Sequence, residues 1–92
     1  MKRFNVMNNS INDVKLMLGK LVKVVTIIDG IDASLVSKDA VLEVYRLNEV
    51  LMDEIAMLND PALTKVEKSQ MIGKVIDMRV IISGVMNKLG IR

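Results

Sequence analysis

The side chains able to hold or move charge in this chain are its Asp, Glu, Lys and Arg residues, because histidine and cysteine are both absent. Their absence removes the Ser–His and Cys–His nucleophiles, imidazole and thiolate metal ligands, disulfides and the usual neutral-pH proton switch. Carboxylate pairs remain. Asp39 with Glu43 and Glu49 with Asp53 stand four residues apart, which puts each pair on one face of a helix. Two carboxylates perform acid–base work only when burial drives their pKa values apart. Beside Arg46 and on a water-facing line, these read as solvated charges. Asp29-Gly30-Ile31-Asp32 has the acids of a cation-binding turn but lacks the spacing of an EF-hand loop and its closing Glu. The glycines at 19, 30, 73, 84 and 90 follow no phosphate-loop spacing. No enzymatic activity, metal or cofactor is expected.

The cations offer a different chemistry. Arg79 shares a helical line with Ile72, Ile76, Ser83 and Met86, an apolar stripe that it interrupts. An arginine in that setting lays its stem over apolar surface to reach an acid on a neighbouring helix, or it meets an anion or partner at the edge of an interface. Lys15, Lys23 and Lys74 join Arg79 as candidate anion contacts. With Lys20, Lys65, Lys68 and Lys88 they would build one positive face if the first and third helices lay side by side. Against a nucleic-acid target stand a net charge of only +2 and just two aromatic residues, Phe4 and Tyr45, so no platform exists for stacking bases. Binding of an anionic ligand or nucleic acid through the basic faces is therefore the alternative reading.

These residues must be positioned by helices, and the charge layout shows how many. Residues 1–28 carry a net charge of +4, residues 29–60 carry −6 and residues 61–92 carry +4. Three helices side by side, the acidic one in the middle, satisfy that pattern. Apolar stripes recur at helical spacing in each third: Met7, Ile11, Val14, Leu18, Leu21, Val25 and Ile28; then Ala40, Val44, Leu47, Leu51, Ile55 and Leu58; then Met71, Val75, Met78, Ile82, Val85 and Leu89. Start and stop signals accompany all three. Ser10 and Ser37 are N-caps, Val36 and Val41 form a hydrophobic staple, and Thr64-Lys65-Val66-Glu67 is a capping box. Gly30-Ile31 and Gly90-Ile91 read as left-handed stops with a hydrophobic fold-back, and Pro61 bars continuation of the second helix. The expected fold is an all-α, up-down-up three-helix bundle with helices over about 10–29, 38–59 and 65–89. Residues 1–92 form a single domain in this reading, with 1–9 as a partly ordered lead-in.

Hydrophobic residues make up 51% of the chain, and eight of them are methionines. An aliphatic and thioether core follows, with side chains suited to adaptable surfaces. A bilayer span needs about 20 mostly apolar residues, whereas the longest stretch free of charge here is the nine residues 4–12, interrupted by Asn5, Asn8, Asn9 and Asn12. No membrane span is expected, and the lack of cysteine points to a cytoplasmic protein.

One stripe per helix suffices for a bundle, yet apolar residues are left over. Leu16, Met17, Val22, Val24 and Ile27 crowd the first helix; Val50 and Met57 sit on the charged line Glu43, Arg46, Val50, Asp53, Met57 of the second; Ile81 sits among Lys74, Asp77, Gly84 and Lys88 on the third. A helix apolar nearly all round is buried or covered by another chain, and a domain of this size has little deep interior. The expected function is a non-catalytic protein–protein interaction module that forms a homo-oligomer and engages another protein as an adaptor or inhibitor. Its economy is compatible with a phage or mobile-element accessory protein. Val50, Met57, Ile81 and Val24 are the expected contact residues.

Overall fold

The structure, a computed structural model, describes residues 11–91. The expected Ser10 cap, Met7 and the 1–9 lead-in lie outside the described residues. Three helices are present among those described: α1 (Ile11–Gly30), α2 (Lys38–Met57) and α3 (Lys65–Lys88), with a single 3-10 turn (Ala33–Leu35) between the first two. All three helix pairs pack against one another, α2 most extensively on α3. The start of α1 lies beside the α2–α3 connection, where Lys15 meets Glu67 at 3.5 Å. α1 and α3 therefore run parallel and α2 runs against both. The bundle is all-α and up-down-up.

Local hydrogen bonding explains most boundaries. Ser37 Oγ accepts from the Ala40 amide at 3.3 Å and opens α2. The capping box at α3 is complete: Glu67 N–H donates to Thr64 Oγ1 at 3.0 Å, and Thr64 N–H donates back to Glu67 Oε1 at 3.5 Å. At the far end of α3, Gly90 takes φ +74°, Gly90 N–H donates to Asn87 O at 3.1 Å, and Ile91 N–H donates to Met86 O at 2.9 Å. These bonds make a full Schellman stop. Ahead of α2, Asp32 Oδ1 accepts from both the amide and the hydroxyl of Ser34 at 2.9 Å each. The amide bond first, and the hydroxyl bond second, hold that carboxyl below its ordinary value of 3.8.

Two stops differ from expectation. Gly30 closes α1 without a left-handed φ, since Gly90 is the positive-φ residue among those described. The turn that follows is instead organised by Asp32, whose carboxylate substitutes for the fold-back expected of Gly30-Ile31. α2 ends at Met57, two residues earlier than the pattern indicates, with Leu58 in extended geometry. Its last carbonyls are capped across the bundle: Lys68 Nζ donates to Ala56 O at 3.1 Å and to Leu58 O at 3.0 Å. A cation on the carbonyl end of a helix is favourable for hydrogen bonding and for the helix dipole alike.

The core is aliphatic and thioether. α1 contributes Val14, Leu21 and Val25; α3 contributes Met71, Val75, Met78, Ile82 and Val85. Both sets fall on the expected stripes. α2 buries Val44, Leu51 and Ile55 of its expected stripe but is turned slightly from it at two positions. Val41, Val44, Asn48, Leu51 and Ile55 face inward, while Ala40 and Leu47 are exposed. The observed line runs 41, 44, 48, 51, 55, 58, alternating spacings of three and four along its whole length, so it is straighter than the line that avoids Asn48. Val41 packs inside instead of Ala40, and the larger buried side chain decides the rotation. The consequence is a fully buried amide. Asn48 Nδ2 donates to Val75 O of α3 at 3.2 Å, and its Oδ1 has no partner.

Candidate functional site

Rotation of α2 has an effect on the surface as well. With Asn48 turned inward, Leu47 moves to the rim of the α1–α2 seam, opposite Met17 and Val24 of α1. The result is an open trough of about 240 Å³ lined by Met17, Lys20, Leu21, Val24, Leu47 and Leu51. Leu21 and Leu51 are core residues and form its floor, while Val24 and Leu47 are about two-fifths exposed (40% and 42%) and form its walls. Lys20 is the one ionic group in this lining. Further apolar side chains stand exposed on the same two helices: Leu16 and Ile27 on α1, Val50 and Met57 on α2. Leu47, Val50 and Met57 follow one another at spacings of three and seven, so they share a side of α2.

Charge is divided between the two helices. From Val14 to Ile28, α1 carries Lys15, Lys20 and Lys23 and no acid. From Asp39 to Glu54, α2 carries five acids against Arg46 alone. Arg46 turns back on Glu43 with 2.6–2.7 Å hydrogen bonds, and that carboxylate, by hydrogen bonding first and charge second, raises the guanidinium pKa. Among the described residues, Lys20 in the trough and Lys23 one turn further along α1 form no ion pair.

The four expected contact residues are distributed unevenly. Val24 lines the trough, Val50 and Met57 are exposed along α2, and Ile81 is exposed on α3 outside the trough. α3 also shows Ile76 and Val80 to solvent, with nothing near the Cα of Gly73 or Gly84 that an added methyl would strike. Leu47, Met17 and Lys20 complete the trough and are not among the contacts expected from sequence. Met17 belongs to the surplus apolar residues of α1, but the expected α2 stripe takes Leu47 in place of Asn48 and so puts Leu47 in the core.

The four candidate anion contacts are not assembled into one patch. Arg79 Nε meets Glu49 Oε2 at 3.2 Å across the α2–α3 seam, and Tyr45 first, then Glu49, raises the guanidinium pKa. Its head thus reaches an acid on the second helix, as in the first of the two readings. Lys15 pairs with Glu67 across the α1–α3 seam, at the rim of a polar recess of about 330 Å³ that also includes Ile11, Asn12, Asp60 and Ala62. Lys23 and Lys74 are exposed, without an ion pair among the described residues. Lys68, counted in the wider basic face, is committed to the end of α2.

Among the described residues no cluster of three or more acids could hold a metal ion, and no helix is long and apolar enough to cross a membrane. The chain matches no family model, no curated protein and no solved structure.

Proposed function

We propose that this protein is a non-catalytic helical interaction module that self-associates and presents an apolar helix face to another protein, as an adaptor or inhibitor does. The observation that carries this reading is the open apolar trough between α1 and α2, with Leu16, Ile27, Val50 and Met57 also exposed on the same two helices. Exposed apolar surface in a groove of a small domain supports an interaction site. Methionine at positions 17 and 57 supplies side chains that adapt to a partner's contour. The cysteine-free composition supports a reducing, cytoplasmic setting, in line with an accessory protein of the phage or mobile-element type.

Sedimentation equilibrium from micromolar to millimolar concentration tests the self-association. A mass that rises with concentration is expected, and Val50→Glu combined with Met57→Glu should return the protein to the monomer with its helical circular dichroism unchanged. A wild-type chain that stays monomeric throughout the series would overturn the reading.

A further inference from the structure

Resting on that reading, we infer that the occupant of the α1–α2 trough is a second copy of this chain, placed by a two-fold axis parallel to the helices so that α1 of each copy lies on α2 of the other. Charge selects this arrangement. A symmetric pair in contact through the α1–α2 face has two ways to close. An axis across the helices sets α1 on α1 and α2 on α2. That packs Lys20 and Lys23 against their own copies and the acids of α2 against acids. An axis along the helices crosses the pairs, so that exposed Lys20 and Lys23 of each α1, on a helix with no acid between Val14 and Ile28, meet an α2 whose exposed acids are Asp39, Glu43 and Asp53. Like charges face each other in the first case and opposite charges in the second. Lys20, without an ion pair among the described residues and sitting on the trough itself, is the residue most affected.

Packing follows the same direction. The crossed pair makes an antiparallel four-helix layer from two α1 and two α2 helices. Its new centre holds Met17, Val24, Leu47 and Val50 from each copy, and α3 stays on the outside of both. An axis along the helices leaves heights unchanged. Because Val24 and Leu47 line one trough within a copy, Val24 of one copy then stands level with Leu47 of the other. Helices in such layers pack about 8–10 Å apart, which brings facing side chains within reach of a disulfide, whose Cα atoms lie roughly 4.4–6.8 Å apart.

The chain has no cysteine of its own, so single replacements report cleanly. Val24→Cys and Leu47→Cys proteins, both at partly exposed positions, are mixed, allowed to exchange subunits and oxidised gently. The heterodisulfide, joining position 24 of one copy to position 47 of the other, is expected to dominate over either homodisulfide by at least about tenfold, given the steep distance limit on the bond. Dominance of the homodisulfide between two Val24→Cys chains overturns the crossed arrangement. A protein that sediments as a dimer yet yields no cross-link from either position overturns it too, while leaving self-association standing on another face. A protein that sediments as a monomer removes both. Independently, Lys20→Glu should weaken the dimer about threefold to tenfold at low salt, the scale of exposed ion pairs counted twice by symmetry, and an unchanged dissociation constant would contradict the charge argument. Gly84→Ala, on the outward face of α3, should leave the dissociation constant as it is, and a loss of dimer there would place the interface on α3 instead.

Discussion

Asn48 shows how one side chain can govern both the interior and the surface of a small bundle. Its amide is fully buried, with one hydrogen bond to Val75 O and an unpartnered Oδ1. An unsatisfied buried polar atom costs about 1–3 kcal/mol, more than a single neutral hydrogen bond of about 0.5–1.5 kcal/mol returns. Asn48→Leu, close in size and wholly apolar, should therefore raise stability by about 1 kcal/mol, read as a higher urea midpoint with the same slope. A lower midpoint would mean that the amide contributes more than its one bond to α3 accounts for. A buried asparagine on a helical seam is the best-attested device for fixing register, and here the bond to Val75 is made in one alignment of α2 on α3. A stripe drawn through apolar residues alone passes over Asn48, because polar side chains ordinarily point outward. The regular three-four alternation from Val41 to Leu58 is the signal that marks it. Arg79 is legible in one of its two forms: a long stem on an apolar line needs an acid within reach, and Glu49 provides it.

At the level of the elements, locally capped helix ends are readable, whereas the end of α2 and part of its inward face are not. Capping is local, so Ser37, the Thr64–Glu67 box and the Gly90 stop can be recognised from a few consecutive residues. Gly90 at φ +74° makes a specific prediction. Gly90→Ala places a Cβ in left-handed geometry and should cost about 1–2 kcal/mol, whereas Gly84→Ala, inside α3 with open space around the new methyl, should add about 0.5–1 kcal/mol through helix propensity. Thermal melts of the two variants should move in opposite directions; a parallel shift would refute the assignment of these two roles. The end of α2 depends on Lys68, twelve residues after Ala56 and on another helix. No local pattern announces a cap of that kind, so the sequence pattern runs the helix two residues too long and leaves Lys68 as free surface charge. The α2 stripe holds at Val44, Leu51, Ile55 and Leu58 and fails at Ala40 and Leu47 for a related reason: Ala40–Leu47 and Val41–Asn48 are adjacent lines on one cylinder, and periodicity alone separates them weakly.

For the whole molecule, ion pairs between the helices contribute little to stability. Lys15–Glu67 and Arg79–Glu49 each join neighbouring helices, and both are about half exposed. Pairs of this type contribute little and are screened by salt, so the burial of Val14, Leu51, Ile55, Val75 and Ile82 supplies the cohesion. Self-association should divide in the same way. In roughly 1 M salt, where the screening length falls to about 3 Å, the dimer is expected to persist through its apolar contacts while the difference between wild type and Lys20→Glu disappears. Sedimentation at low and high salt measures both, and complete dissociation at high salt would show that charge, not apolar burial, holds the copies together. From the sequence by itself came the number of helices, their direction, the caps at Ser37, Thr64–Glu67 and Gly90, the inward faces of α1 and α3 and most of that of α2, because hydrogen bonding within a turn and a repeat near 3.6 residues are properties of each segment alone. Tertiary structure decided the rotation of α2, the partners of Lys15, Lys68 and Arg79, and the trough between α1 and α2. Those outcomes depend on three helices competing at once for one small interior, and when Val41 took the place that Ala40 would have held, Leu47 was turned out to the rim.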